Sequence, residues 1–149
     1  MSKTAVVFWS GTGNTEEMAN AVLEGMKENG ANASIYSADA FQAGDVEGYD
    51  AIAFGCPAMG AEVLEEDEFQ PLFDECKSAL AGKKVALFGS YGWGDGEWMR
   101  NWEDDCKEAG IELACDSVVC LSLIHIFVVD VFHNNQVKCQ YNYGNNPQN

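Results

Sequence analysis

Thr4-Ala5-Val6-Val7-Phe8-Trp9-Ser10-Gly11-Thr12-Gly13-Asn14-Thr15 is the stretch that decides the fold. Its first half, residues 4–9, is a continuous apolar run of β-branched and aromatic side chains, which suits a strand buried on both faces of a parallel sheet. Its second half is a glycine-rich turn. From Glu16 the pattern changes to helical period, with Met18, Ala19, Val22 and Met26 on one face, acids Glu16 and Glu17 in the first turn and Gly30 as the stop. This is one strand–loop–helix unit, and the alternation repeats downstream. Residues 33–37 and 51–55 read as the second and third strands. Phe69, Leu72, Phe73, Cys76 and Leu80 fall at helical spacing before Gly82, and residues 84–90 read as a fourth buried strand. Residues 98–109 carry Met99, Trp102 and Cys106 on one helical face, and a fifth strand lies within 111–119. The pattern predicts an α/β fold, a doubly wound open parallel sheet whose ligand-side loops follow strands one, three and four.

Those three loops carry the chemistry. Ser10, Gly11, Thr12, Gly13, Asn14 and Thr15 combine bare backbone amides, three hydroxyls and a helix N-terminus, which together favour an anion. The loop holds no lysine or arginine, so it lacks the Gly-Lys-Ser/Thr of a nucleoside triphosphate site, and the G-x-G-x-x-G dinucleotide fingerprint also fails. One phosphate monoester held by neutral donors fits best. An isolated match of this kind is often no more than a capped turn; its place after a buried first strand argues for more. After strand three comes Cys56-Pro57-Ala58-Met59-Gly60, and after strand four come Ser90, Tyr91, Gly92, Trp93, Gly94 and Asp95. Each loop presents a large polarizable side chain, Met59 or Trp93, between small residues, and two such loops can clamp a flat ring. A phosphate loop with two ring-flanking loops describes a pocket for flavin mononucleotide (FMN).

At these residues the chain resembles the flavodoxins, in particular the short-chain clostridial type. The resemblance runs over residues 1–120 and is strongest at V-V-F-W-S-G-T-G-N-T, at A-M-G-x-E-V-L-E-E and at K-K-V-A-L-F-G-S-Y-G-W-G-D-G-x-W-M-R. It implies a five-stranded sheet of order 2-1-3-4-5, with residues 10–15 on the FMN phosphate. Met59 and Trp93 would cover the two ring faces, Glu62 would lie near the polar edge, and Ala58, Gly60, Ser90, Tyr91, Gly92, Gly94 and Asp95 would complete the pocket. Ala61 stands where relatives often carry aspartate. The resemblance also implies that the Met59–Gly60 peptide turns on reduction, its carbonyl accepting a hydrogen bond from the flavin semiquinone. Carboxylates at Glu62, Glu65, Glu66, Asp67, Glu68 and Asp95 would oppose the anionic hydroquinone. The implied function is a low-potential one-electron carrier cycling mainly between semiquinone and hydroquinone, without substrate turnover of its own. An NAD(P)H-dependent FMN or quinone reductase is the alternative, though no nicotinamide fingerprint is visible, and a cofactor-free interaction domain is the third class.

The 149 residues carry a formal charge of −16, from 24 acidic against 8 basic side chains. Such a charge repels nucleic acid and anionic lipid; it reads either as a solvated surface that aids solubility or as steering toward redox partner proteins with basic docking surfaces, and both can hold together. Cysteines at 56, 76, 106, 115, 120 and 139 form no C-x-x-C pair and no zinc-type cluster, so buried free thiols in a reducing compartment are expected, and no metal site. No signal-peptide pattern and no apolar membrane span is evident, which predicts a cytoplasmic protein, by default a monomer. His125 and His133, the two histidines, have no nucleophile partner. Both lie beyond Cys120, where the family-type polar loop and final amphipathic helix are missing or replaced. Leu121-Ser122-Leu123-Ile124-His125-Ile126 is the translation of CTG TCT CTT ATA CAC ATC, the transposase mosaic end of sequencing libraries. Residues 121–149 are therefore expected to be wholly or partly an assembly artefact fused to a truncated domain, the competing reading being a genuine extra strand or partner-binding segment.

Overall fold

The computed structural model describes residues 3–11, 13–92 and 94–121. Strand β1 (Lys3–Phe8) leads through the glycine turn into helix α1 (Asn14–Glu28), then β2 (Asn32–Ser37) and two short 3-10 turns lead to β3 (Ala51–Gly55). Helix α2 (Phe69–Cys76), β4 (Lys84–Tyr91), α3 (Glu97–Glu108), β5 (Glu112–Leu113) and β6 (Val118–Leu121) follow. All pairings between these strands are parallel, and the spatial order is β2-β1-β3-β4-β5, with β6 also beside β4. The expected doubly wound sheet of order 2-1-3-4-5 is present.

Its two faces divide by the two-residue period of the strands. Ala5, Val7, Ile52, Phe54, Val85 and Leu87 point to one core, where α2 and α3 contribute Phe69, Leu72, Phe73, Cys76, Trp98, Met99, Trp102 and Cys106. Val6, Ala53, Ala86, Phe88 and Val118 point to the other, against Met18, Ala19, Val22 and Met26 of α1. Burial on both faces is why these strands read as unbroken apolar runs rather than alternating ones. Burial pushes the Cys56 and Cys106 thiols up to about 12 and Cys76 to about 11, as inert packing thiols require.

Two elements differ from their expected form. The helical spacing through Leu80 is α-helix only to Cys76; a 3-10 turn at Lys77–Ala79 completes it, and the Leu80 amide is shared between the Cys76 and Lys77 carbonyls. The fifth strand is in two pieces. Lys84 and Val85 pair with Glu112 and Leu113, and Phe88 to Tyr91 pair with Val118 to Leu121, so residues 114–117 occupy the length that Ala86 and Leu87 span in β4. The surplus bulges out of the ladder, with the Ala114 amide still donating to the Val85 carbonyl at 2.8 Å.

At the β2 edge, Tyr36, Phe41 and Tyr49 pack as an aromatic triad, with ring centroids 5.3–6.3 Å apart. The Tyr36 and Tyr49 hydroxyls share a hydrogen bond. Burial, and then that bond, pushes the Tyr49 phenol up to about 12 from 10.0. A raised phenol favours the protonated form in the folded state, so its stabilising contribution is complete below pH 10 and is lost as pH rises through about 12. In an alkaline ultraviolet titration, Tyr36→Phe is expected to bring part of this late-ionising signal back toward the ordinary range; an unchanged curve would mean that the bond does not hold the proton.

Candidate functional site

The carboxyl ends of β1, β3 and β4 form one edge, and the three loops expected to carry the chemistry leave from it. In the first, Gly13 adopts a left-handed conformation (φ 99°) as N-cap of α1, and its amide donates to Ser10 Oγ at 3.1 Å. A glycine offers no capping side chain, so no side chain closes the helix from the N-cap and the partial positive end of α1 faces the loop. Gly11 lies under the Trp9 indole, where a Cβ would meet ring atoms at 3.1 and 3.3 Å. Thr12 lies outside the described residues. Thr15 is buried, and its hydroxyl is paired with that of Ser90 at 2.8 Å. One of the two hydroxyls must therefore donate to the other, which leaves the pair a single proton to offer outward.

Ser90 is the hub of the site. Its hydroxyl ties β4 to the first turn of α1, and its carbonyl accepts the Ala58 amide at 3.0 Å, so the phosphate-type loop, the Met59 loop and the end of β4 meet on one residue. Below it, the Trp98 indole nitrogen donates to the Cys56 carbonyl at 3.2 Å from the buried face of α3. Gly89 makes this junction possible, since a Cβ there would lie 2.2 Å from that same carbonyl oxygen.

The second loop is a closed turn. Met59 and Val63 form an isolated antiparallel bridge, with Met59 N to Val63 O at 2.9 Å and Val63 N to Met59 O at 3.0 Å. The Met59 carbonyl, expected to turn toward the flavin on reduction, is engaged by the Val63 amide in this structure. Gly60, next in the turn, sits at φ 50°. Glu62 follows at φ 54°, a conformation that costs a non-glycine residue about 1 kcal/mol. A specific contact accompanies it: Glu62 Oε1 accepts the Asp95 amide at 3.2 Å, linking the second loop to the third. Gly94, at φ 83°, leaves the room, because a Cβ there would lie 2.3 Å from Glu62 Oε1. Trp93 lies outside the described residues. Tyr91 is half-buried with its ring 5.5 Å from that of Trp98, and Gly92, Gly94 and Asp95 are exposed.

The acidic run separates on inspection. Glu66, Asp67 and Glu68 are exposed, whereas Glu65 is buried and turned away from solvent. Its carboxylate accepts the amides of Asp67 (2.8 Å), Glu68 (2.8 Å) and Phe69 (2.9 Å), capping the start of α2. Burial alone would raise its pKa, but the three backbone donors outweigh burial and hold the carboxyl below the usual carboxylate range. Glu65 is thus a structural acid that caps α2, and the cap holds it in the ionised form. Reading the sequence missed Arg100. Its guanidinium grips Asp95 twice, at the carbonyl and at Oδ1, each at 3.0 Å.

A family model described as "Flavodoxin" matches residues 6–133. The chain belongs to the flavodoxin family. It is 48% identical over 99 residues to a flavodoxin of Clostridium beijerinckii, covering 66% of this chain and 72% of that one. A Megasphaera elsdenii flavodoxin is 44% identical over 114 residues, with 76% and 83% covered. The solution structure of two-electron reduced M. elsdenii flavodoxin superposes with a TM-score of 0.74 at 41% identity, covering 80% of this chain and 85% of that one. The clostridial short-chain resemblance is confirmed, and the family match extends beyond Cys120, where the motif resemblance ends. Flavodoxins bind FMN and transfer electrons. The donor set fits that cofactor: a dipole and neutral donors for one phosphate, and two mutually tied loops to flank a ring. The residues 122–149, with His125 and His133, lie outside the described residues, and no described helix is long and apolar enough to cross a membrane.

Proposed function

We propose that this flavodoxin is a low-potential one-electron carrier, working between the one- and two-electron reduced states of a non-covalently bound FMN. The observation that carries the reading is the convergence on Ser90, which joins the α1 turn, the Met59 loop and the end of β4. On this reading, residues 10–15 hold the phosphate, and Ala58, Met59, Gly60, Glu62, Ser90, Tyr91, Gly92, Trp93, Gly94 and Asp95 line the ring site. FMN supplies the electron storage when bound; the protein orients it and tunes its potential. A backbone carbonyl of the closed turn around Gly60 is the group that would accept from a newly protonated ring nitrogen. One such bond is worth on the order of 1 kcal/mol, and about 1.4 kcal/mol corresponds to roughly 59 mV for one electron, so a single contact can separate the two redox steps. The carboxylates of Glu62 and Asp95 then disfavour further negative charge on the ring.

The same reading assigns the physiological role to exchange with larger redox enzymes that present basic surfaces, in the cytoplasm and as a monomer. Residues 1–120 form the functional domain, and residues 121–149 are foreign to it at least in part; the family match over 121–133 stands against this for that portion. Amplifying source DNA across the junction at residue 121 decides the point. The function is tested by titrating the apoprotein with FMN and reducing it stepwise without oxygen. Tight binding and a long-wavelength absorbance band at half reduction are expected. Rapid reduction by NAD(P)H alone would replace the carrier with a reductase.

A further inference from the structure

Asp95 is exposed, yet each of its polar groups is engaged. Its amide donates to Glu62 Oε1 at 3.2 Å, and its carbonyl and Oδ1 each accept from Arg100 at 3.0 Å. The flanking residues Gly94 (φ 83°) and Gly96 (φ 91°) leave this segment little backbone stiffness of its own. Carboxylate oxygens of Glu62, Asp95 and Glu97 lie within 4.8 Å of one another, and Arg100 pairs with the Asp95 member of that group. The Asp95–Arg100 pair is solvent-exposed, with side chains 77% and 58% accessible, so it contributes little to global stability. Its geometry is nevertheless specific: one arm holds main chain and the other neutralises charge.

We propose that Arg100 is a positioning residue for the ring site, which fixes the 94–96 segment against the Glu62 turn through Asp95 and offsets the repulsion among the three carboxylates. The inference rests on the reading that the two loops flank FMN. Arginine suits the task because its planar fork spans a carbonyl and a carboxylate with two separate nitrogens; lysine keeps the charge but lacks that rigid fork. Without Arg100, the repulsion is felt most at low ionic strength, where exposed charges are least screened.

The test uses the full chain with Arg100→Gln and Arg100→Lys. R100Q is expected to weaken FMN binding about tenfold at low salt, with the deficit narrowing at high salt, while the urea midpoint of the apoprotein stays unchanged. R100K is expected to recover the salt-dependent share and to leave a salt-independent deficit. In protein without FMN, amide exchange at Asp95 should accelerate in R100Q, which reads the tether whatever the ligand is. Equal FMN affinity in R100Q and the parent chain, or a loss that only tracks apoprotein stability, would overturn the proposal. If the amide accelerates while the parent chain itself fails to bind FMN, the tether stands, and the assigned ligand and Arg100's role at its ring site fall.

Discussion

Replacing Glu65 by alanine is expected to remove about 4 kcal/mol of folding stability, measured by urea denaturation of the apoprotein at neutral pH. The magnitude follows from what the carboxylate holds. Three backbone amides, of Asp67, Glu68 and Phe69, end on its two oxygens at 2.8–2.9 Å, and alanine leaves them without an acceptor at the start of α2. Hydrogen bonds to a charged group contribute roughly 1.5–3 kcal/mol each, less than additively when they share one acceptor group. Against a net stability of about 5–15 kcal/mol for a typical domain the loss is large. Glutamine at 65 keeps one acceptor oxygen and is expected to cost about half as much. The pH dependence separates charge from shape. Because the folded carboxyl is held below its usual value, its contribution is full above about 4.5 and is lost as pH falls through the lower folded pKa. E65Q should lack that part of the acid transition; an acid limb identical to that of the parent chain would show that Glu65 does not carry it. Saturation with FMN should recover part of the loss by mass action, about 2.7 kcal/mol at a hundredfold excess over Kd.

Glu65 also shows where the sequence is legible and where it is not. Residues 51–55 form a strand with the bounds expected of them, because an apolar run closed by Asp50 on one side and Cys56-Pro57 on the other admits little else. The face assignment of α1 held for the same reason: Met18, Ala19, Val22 and Met26 share one side of a helix at any exact boundary. The acidic run offers no such handle. Glu65 and Glu66 are the same residue type side by side, and only the direction in which α2 begins decides which one caps it. The signal available was weak, a carboxylate shortly before the first helical residue Phe69. The split of the fifth strand was hidden because Ala114-Cys115-Asp116-Ser117 contains neither glycine nor proline to mark a bulge. Arg100 was hidden because its partner Asp95 lies outside the helix, at a spacing of five that no helical pairing rule selects. The occupied Met59 carbonyl is a three-dimensional fact, since no residue type announces which peptide of a turn is already bonded.

Gly89→Ala is expected to cost about 3 kcal/mol of stability and to weaken FMN binding by about tenfold or more, although Gly89 is a strand residue without an assigned ligand contact. The added methyl would sit 2.2 Å from the Cys56 carbonyl oxygen and 3.2 Å from the Trp98 ring. Only one of these neighbours is a side chain, so relief requires β3 and β4 to separate at this level. Two hydrogen bonds resist that separation, Cys56 N to Phe88 O at 3.1 Å and Ala58 N to Ser90 O at 3.0 Å, while Trp98 Nε1 to Cys56 O at 3.2 Å holds the same carbonyl from α3. Whichever yields, the Met59 loop shifts relative to Ser90, and with it the spacing between the two loops that flank the ring. Stability and affinity therefore fall together through one contact. Gly48→Ala is the matched control, since a Cβ there meets nothing within 4 Å, and it should stay within about 0.5 kcal/mol of the parent chain. Calorimetric FMN titration and urea denaturation of the two variants read both effects. If Gly89→Ala loses stability but binds FMN as the parent does, then the spacing set at Cys56 does not govern the ring site, and the convergence on Ser90 is a feature of folding alone.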